Sequence, residues 1–436
     1  MLIGFTFKNF ASFYNENALS MRSSADKKFS TLNTKETKYG RLIKSAFIFG
    51  ANGSGKSNLV RAIDCMKSIV VAEHPGVQSV LIANIDFFKL SNVSEAMPSL
   101  FEVEFISNGM VYQYGFEILN REVCREYLYR KTKRKTLVFA RVSPDFKDIS
   151  LSSSMDNVKH LVQNTRRDTL FLCWANAGNN EIAMVVYNWF ASIRIFDNAT
   201  LAPSDTIEYL KENSDGKNKV LRLLQTADSS ILDFSVETSE NKEQSELATA
   251  SQQVALKKVF GKNILPVPIM VRNIDLKLSR NYYNEKWERV GTFDIPAFIE
   301  SAGTRKLFEI AGPIIRALEN GSVVFVDEVD SRLHPMLVRF LVMMFNSISN
   351  NQKGAQLICA THDLLLLGDD IRRDQIYFTE KDEFGISSLY SLADFKGVRK
   401  DGKFLKQYLL GAFGATPKLR EYCVAKMPIG ANYGYA

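Results

Sequence analysis

Eight consecutive residues, Gly50-Ala51-Asn52-Gly53-Ser54-Gly55-Lys56-Ser57, follow the spacing G-x-x-x-x-G-K-[ST]. The flanks restrict the fold further. An apolar run, Ser45-Ala46-Phe47-Ile48-Phe49, leads in, and residues 58–71 follow with helical spacing. Glycines let a backbone curl so that successive N–H groups point inward, and the start of the following helix adds the positive end of its dipole. Such a loop cradles the phosphates of a nucleoside triphosphate. Lys56 is expected to reach the β- and γ-phosphates, and the Ser57 hydroxyl to ligate Mg²⁺. Gly50, Asn52, Gly53, Ser54, Gly55 and Asn58 complete the expected contact set.

A second segment carries complementary chemistry. Val323-Val324-Phe325-Val326-Asp327-Glu328 reads as a buried strand ending in two carboxylates. At the C-terminal end of a parallel strand, Asp327 is placed to hold Mg²⁺ and Glu328 to orient or deprotonate an attacking water.

The rest of the chain supports a globular α/β protein. Of its 436 residues, 46% are apolar and 24% charged, which excludes a disordered or fibrous chain. No apolar run approaches ~18 residues, so a membrane span is not expected. The first eight residues alternate like a strand and show no secretory signal. Cys65, Cys124, Cys173, Cys359 and Cys423 are widely spaced with no Cys-x-x-Cys pair, which excludes a disulfide scaffold and fits a reducing cytoplasm. The net charge of +7 permits anionic partners without demanding them.

Along the chain, the first 21 residues read as two strands around a turn at Asn15-Glu16-Asn17, and 22–44 as a polar loop. Residues 99–119 form the clearest hairpin, turning at Asn108-Gly109, with further strands at 122–129 and 137–141. Between 142 and 295, helical pieces near 155–164, 181–195 and 206–226 mix with strands at 231–237 and 266–275, and 239–251 is polar enough to be mobile. No heptad pattern persists, which excludes a long coiled coil. From 296, a helix (303–318), strand (322–327), helix (335–348), strand (355–360) and a helix after 363 alternate as in a parallel sheet.

With both acidic and phosphate motifs in place, the chain resembles the ABC-type ATPases, in the branch of the structural-maintenance-of-chromosomes and RecF proteins. Three further segments carry the resemblance. Glu300-Ser301-Ala302-Gly303-Thr304 looks like the signature motif; the resemblance implies that Ser301 and Gly303 bind the γ-phosphate held by an opposite subunit. Without that context, Ser-Ala-Gly is also an ordinary helix cap. Ala360-Thr361-His362-Asp363 resembles the switch-histidine motif, with His362 reporting the nucleotide state. Asp330-Ser331-Arg332-Leu333-His334-Pro335 occupies the D-loop position, marking Asp330, Ser331 and His334. It departs from the transporter pattern, since Ser-Arg-Leu-His stands where Ser-Ala-Leu-Asp would be. The Leu-His-Pro step and the ending Tyr408-Leu409-Leu410-Gly411-Ala412-Phe413-Gly414-Ala415-Thr416-Pro417 resemble instead a bacterial group of AAA-type ATPases. That group holds the ATPase parts of overcoming-lysogenisation-defect nucleases and the RloA- and AriA-like subunits of phage-defence systems.

The resemblance implies an ABC-type head: an N-terminal ATPase lobe with the phosphate loop and β-hairpins (1–141), an inserted mixed, largely helical region (142–295), and a C-terminal lobe with the remaining motifs (296–436). It also implies ATP and Mg²⁺ as cofactors, and two copies facing head to tail around two ATP molecules. Only through the resemblance is ATP preferred over GTP. The 74 residues after His362 contain no Asp-x-Asp pair of the kind that holds two catalytic metals, so a separate effector protein is expected. A phage-derived trigger is a further expected partner. Arg130-Lys131-Thr132-Lys133-Arg134-Lys135 has five cations in six positions; it reads as a solvated hairpin tip first and as a nucleic-acid contact second.

Overall fold

The run Ser45–Phe49 is a fully buried strand inside a six-stranded sheet. In the computed structural model, which describes residues 1–142, 149–196, 203–240, 272–368, 370–398 and 403–417, the strand order is Arg194–Phe196, Val323–Val326, Gln356–Ala360, Ser45–Phe49, Ile376–Lys381, Ser387–Ser391. The middle four strands run parallel, and the last returns antiparallel. Parallel strands are covered on both faces, which is why VVFV and SAFIF are continuously apolar rather than alternating. The helix Lys56–Val70 buries Leu59, Ile63, Met66 and Val70 along one face.

A seven-stranded antiparallel sheet accompanies it, in the order Ile149–Leu151, Lys135–Arg141, Glu122–Lys131, Met110–Leu119, Ser99–Ser107, Leu2–Lys8, Asn17–Ser20. Here the alternation is visible. Phe101, Val103 and Phe105 point into the core opposite Phe116, Tyr114 and Tyr112, while Glu102 and Glu104 face out. Asn108 and Gly109 both have positive φ (48° and 70°), the turn that an Asn-Gly hairpin selects. Trp189, on the helix Glu181–Ser192, stacks on Phe105 with ring centroids 3.9 Å apart and covers the inner face.

Several expectations need correction. The first connection is longer than a turn at 15–17: it spans residues 9–16, closed by reciprocal Phe10–Phe13 backbone hydrogen bonds. Residues 22–44 are not a plain loop. They hold a helical turn, Ser30–Asn33, and a hairpin, Thr34–Thr37 with Gly40–Ile43. Strands of four residues show too little alternation to read, and tertiary contacts fix them: Ile43 N donates to Met21 O (2.8 Å) and Arg41 O accepts from Ser23 N (2.9 Å), while fully buried Arg372 pins the segment ahead of them by donating to Asp26 O (2.7 Å) and to Lys28 O. The helix expected after 363 is only a 3₁₀ turn, Leu364–Leu367, capped by Asp363.

The chain divides into two compact units: Met1–Ile195, Gly321–Val329 and Val342–Ala436 form the first, and Phe196–Asn320 and Asp330–Leu341 the second. The second contains helices Pro203–Glu212 and Gly216–Ala227, a sheet of Asp233–Glu240, Arg272–Tyr283 and Arg289–Pro296, and the helix Ala302–Asn320. The strand expected at 231–237 is present two residues late. The one expected at 266–275 begins at Arg272, and 266–271, like most of the polar segment 239–251, lie outside the described residues. Pro313 sits inside the long helix, where it cannot donate to the carbonyl four residues back. Thr206 repairs the gap: its hydroxyl contacts Phe308 O (2.6 Å) and Glu309 O (3.1 Å) and accepts from Gly312 N (2.9 Å). Among the described residues, no helix is long and apolar enough to cross a membrane.

Candidate functional site

The loop 50–55 leaves the strand Ser45–Phe49 and enters the helix at Lys56, with Gly55 as its N-terminal cap. Gly53 (φ 73°) and Gly55 (φ 117°) occupy the left-handed region that side chains avoid, so the curl depends on them. Gly50 is required for a different reason. A Cβ there would lie 2.5 Å from Ser54 Oγ and from the Thr379 carbonyl. The Ser54 amide donates to Ala51 O (3.1 Å), and its hydroxyl meets Thr379 Oγ1 at 2.7 Å. Lys56 is buried, and its ammonium donates to Gly50 O (2.8 Å) and Ala51 O (3.1 Å), inside the curl.

Asn52, Gly53 and Ser57 are exposed, and no atom stands within 4 Å of a Cβ built on Gly53. A cation within the loop, two left-handed glycines and an open mouth at the start of a 15-residue helix fit a chain of phosphates. Asn58 faces elsewhere: its amide donates to Ser12 Oγ (2.8 Å). Ser12 in turn accepts from Ser387 Oγ (2.7 Å), and Ser387 and Phe13 wall Gly55 at 2.7 and 3.2 Å from an added Cβ.

The register of the parallel strands brings three motifs to one edge. Val326 pairs with Cys359, Cys359 with Phe47, and Ala360 with Ile48. The segments that follow, Asp327-Glu328, Thr361-His362 and the glycine loop, therefore emerge side by side. Asp327 stands two strand spacings, ~10 Å, from the loop strand, and the histidine strand lies between them. Hydrogen bonds Val329 N to Ala360 O (3.3 Å) and Thr361 N to Ile48 O (3.1 Å) hold this arrangement past the strand ends. Asp327 is half-buried; Glu328 and His362 are exposed. Glu328 adopts φ 51°, uncommon for a residue with a side chain, at the point where the strand turns away. Asp363 Oδ1 accepts from Leu365 N (3.0 Å), fixing the segment after His362.

The other candidates belong to the second unit. Ser301 is exposed and caps the helix Ala302–Asn320: its Oγ accepts from Thr304 N at 3.1 Å. A Cβ on Gly303 would lie 2.9 Å from the Arg332 carbonyl, so this glycine is where the 301–304 segment meets the 330–334 turn. Arg332 has φ 65°, and Asp330 and Ser331 are half-buried in that turn. His334, whose role the sequence leaves open, is itself a cap. Its Nδ1 accepts from Met336 N (3.2 Å) at the start of the helix Pro335–Asn346, with Pro335 at the first helical position. The residues that sequence reasoning missed are Thr379, Ser387, Ser12 and Phe13, which support the loop from distant segments. Single Ser and Thr residues in strands and turns carry no motif that marks them.

A buried parallel strand, a glycine loop closing on a helix, and an acidic strand end two positions away define a P-loop nucleotide-binding fold of the α/β class. The sequence profile of a family described as "AAA domain, putative AbiEii toxin, Type IV TA system" matches residues 45–368, and the chain belongs to this family. The match begins at the strand before the glycine loop and ends just past the 3₁₀ turn after His362, so it spans the glycine loop, the 300–304 segment, Asp327-Glu328, the 330–334 turn and the His362 segment, while the ending Tyr408–Pro417 lies beyond it. It bears out the resemblance to phage-defence ATPases of AAA/ABC type. No curated protein matches the chain.

Proposed function

We propose that this protein hydrolyses ATP with Mg²⁺ at an interface between two head-to-tail copies of itself, and that the assembly gates a separate effector in bacterial antiviral defence. The observation that carries the ATPase reading is the register that sets the glycine loop, the His362 segment and Asp327-Glu328 at the ends of neighbouring strands. Lys56 and the loop amides would hold the phosphates; Ser57 and Asp327 would hold Mg²⁺, which supplies charge neutralisation on the phosphate oxygens. Glu328 positions or deprotonates water, and His362 senses the γ-phosphate. Ser301 and Gly303, with the 330–334 turn, supply the face that completes the partner copy's site. The head-to-tail part rests on the likeness of these segments to signature and D-loop motifs. The defence role rests on the family's description.

Light scattering on a size column tests the assembly. The Glu328→Gln protein should double in mass with Mg-ATP, and Glu328→Gln/Ser301→Arg should stay at monomer mass. A mass indifferent to nucleotide contradicts the reading.

A second reading, an ATP-dependent DNA clamp, is favoured by the exposed cationic tip at 131–135. It predicts ATP-dependent DNA binding whose affinity falls steeply with salt. DNA affinity that ignores ATP counts against it.

A further inference from the structure

Glu300 immediately precedes Ser301, and its carboxylate is nearly buried, with its side chain 8% exposed. An unneutralised negative charge there would oppose the approach of a phosphate to the start of the helix Ala302–Asn320. Arg280, on the strand Arg272–Tyr283, meets it with a two-pronged contact: Nη2 lies 2.9 Å from both carboxylate oxygens, and Nε donates to Oε1 at 3.0 Å. The same guanidinium reaches back to Asp228 Oδ2 (2.7 Å) and to the Ser230 hydroxyl.

Asp228 is the residue that ends the helix Gly216–Ala227, where a negative charge is unfavourable to the helix dipole. Its carboxylate is held instead by Arg280 at Oδ2 and by the Ser230 amide (3.0 Å) and hydroxyl (2.6 Å), which donate to Oδ1. Backbone bonds complete the brace. Ala297 N donates to Leu276 O (2.7 Å), Ile299 N to Pro296 O (3.0 Å) and Glu300 N to Ala297 O (3.1 Å). These bonds fold the turn after the strand Arg289–Pro296 back onto the sheet.

We infer that Arg280 is a positioning residue for the trans phosphate contact: pinned by Asp228, it fixes and neutralises Glu300 so that Ser301 and the helix start face a second copy's nucleotide. This rests on the head-to-tail reading above. Only a planar, forked cation spans both carboxylates at once; a lysine ammonium makes one such contact.

The test uses the full chain in the Glu328→Gln background. Three quantities are measured: the dissociation constant of the Mg-ATP dimer, the affinity of the monomer for a fluorescent ATP analogue, and the melting temperature. Arg280→Met should weaken dimerisation by about tenfold or more, the scale of a lost charged hydrogen-bond pair. Monomer nucleotide affinity should stay within about twofold, because the chain's own phosphate loop is untouched. Arg280→Lys should restore part of the dimerisation and serves as the folded control. The inference is overturned if Arg280→Met dimerises like its parent. It is also overturned if all three quantities fall together and Arg280→Lys rescues none of them. If the parent with intact Arg280 shows no ATP-dependent mass change, the head-to-tail reading has failed. If the parent dimerises, Ser301→Arg does not and Arg280→Met does, only the role of Arg280 has failed.

Discussion

The hydroxyls of Ser54 and Thr379 meet at 2.7 Å beneath the glycine loop, although the two residues lie 325 positions apart in the chain. Both are buried, so neither hydroxyl has water as an easy substitute. Thr379→Val leaves the Ser54 hydroxyl without that partner, at a cost of about 1–3 kcal/mol. The expected outcome is a lower urea midpoint together with weaker ATP binding, read by titration of a fluorescent analogue. Gly50→Ala should be worse, because its Cβ meets a backbone oxygen that cannot swing aside.

The chemistry of the two carboxylates separates by substitution. Glu328→Gln keeps size and hydrogen-bonding capacity but removes the base, so hydrolysis should fall by about 10²–10⁴-fold while ATP binding persists. Asp327→Asn should instead raise the Mg²⁺ concentration needed for half-maximal nucleotide binding. Steady-state phosphate release and an Mg²⁺ titration distinguish the two. Equal loss of binding in both variants contradicts the assignment.

What the sequence made legible follows from how local each signal is. Gly50–Ser57 and Val323–Glu328 are contiguous, and strands covered on both faces announce themselves as unbroken apolar runs. The hairpin at 99–119 was equally plain, since its alternation and its Asn-Gly turn agree. The supports of the loop were not legible: Ser12, Thr379 and Ser387 come from segments that touch it only after folding. The same holds for Thr206, whose purpose appears only opposite Pro313, and for Arg280, an ordinary cation in sequence. His334 was visible as a departure from a pattern, but its capping hydrogen bond was not.

A buried pair anchors the first unit. Glu126 accepts from Phe171 N (2.7 Å), Leu172 N (3.0 Å) and Tyr114 OH (3.0 Å). Arg141, 4.0 Å away, donates to Thr169 O (3.0 Å) and Arg167 O (3.2 Å), and both side chains are fully buried. Arg141→Met strands a buried carboxylate and two carbonyls and should cost about 3–5 kcal/mol in urea unfolding. A loss under about 1 kcal/mol contradicts the pairing.

Acid should loosen the Arg280 brace in a defined window. Burial raises the proton affinity of Asp228, but hydrogen bonds from Ser230 and Arg280 outweigh it and hold the carboxyl below its ordinary value. A depressed folded pKa contributes stability that is present above the unfolded value, about 3.9, and is lost as pH falls through the folded one. The melting-temperature gap between the parent and Asp228→Asn should therefore be constant from about pH 8 to about pH 5 and close only on stronger acidification. A gap that closes between pH 6 and 8 contradicts this origin.

The central claim is that each nucleotide site is built by two copies, and mixing tests it most directly. Lys56→Ala disables a chain's own phosphate loop, while Ser301→Arg disables what it lends to its partner. Each protein alone should be inactive. In an equal mixture each mixed dimer has one intact site, so between about a quarter of wild-type ATPase activity (random pairing) and about a half (only mixed dimers form) should return. A mixture no more active than either variant alone would contradict the shared site.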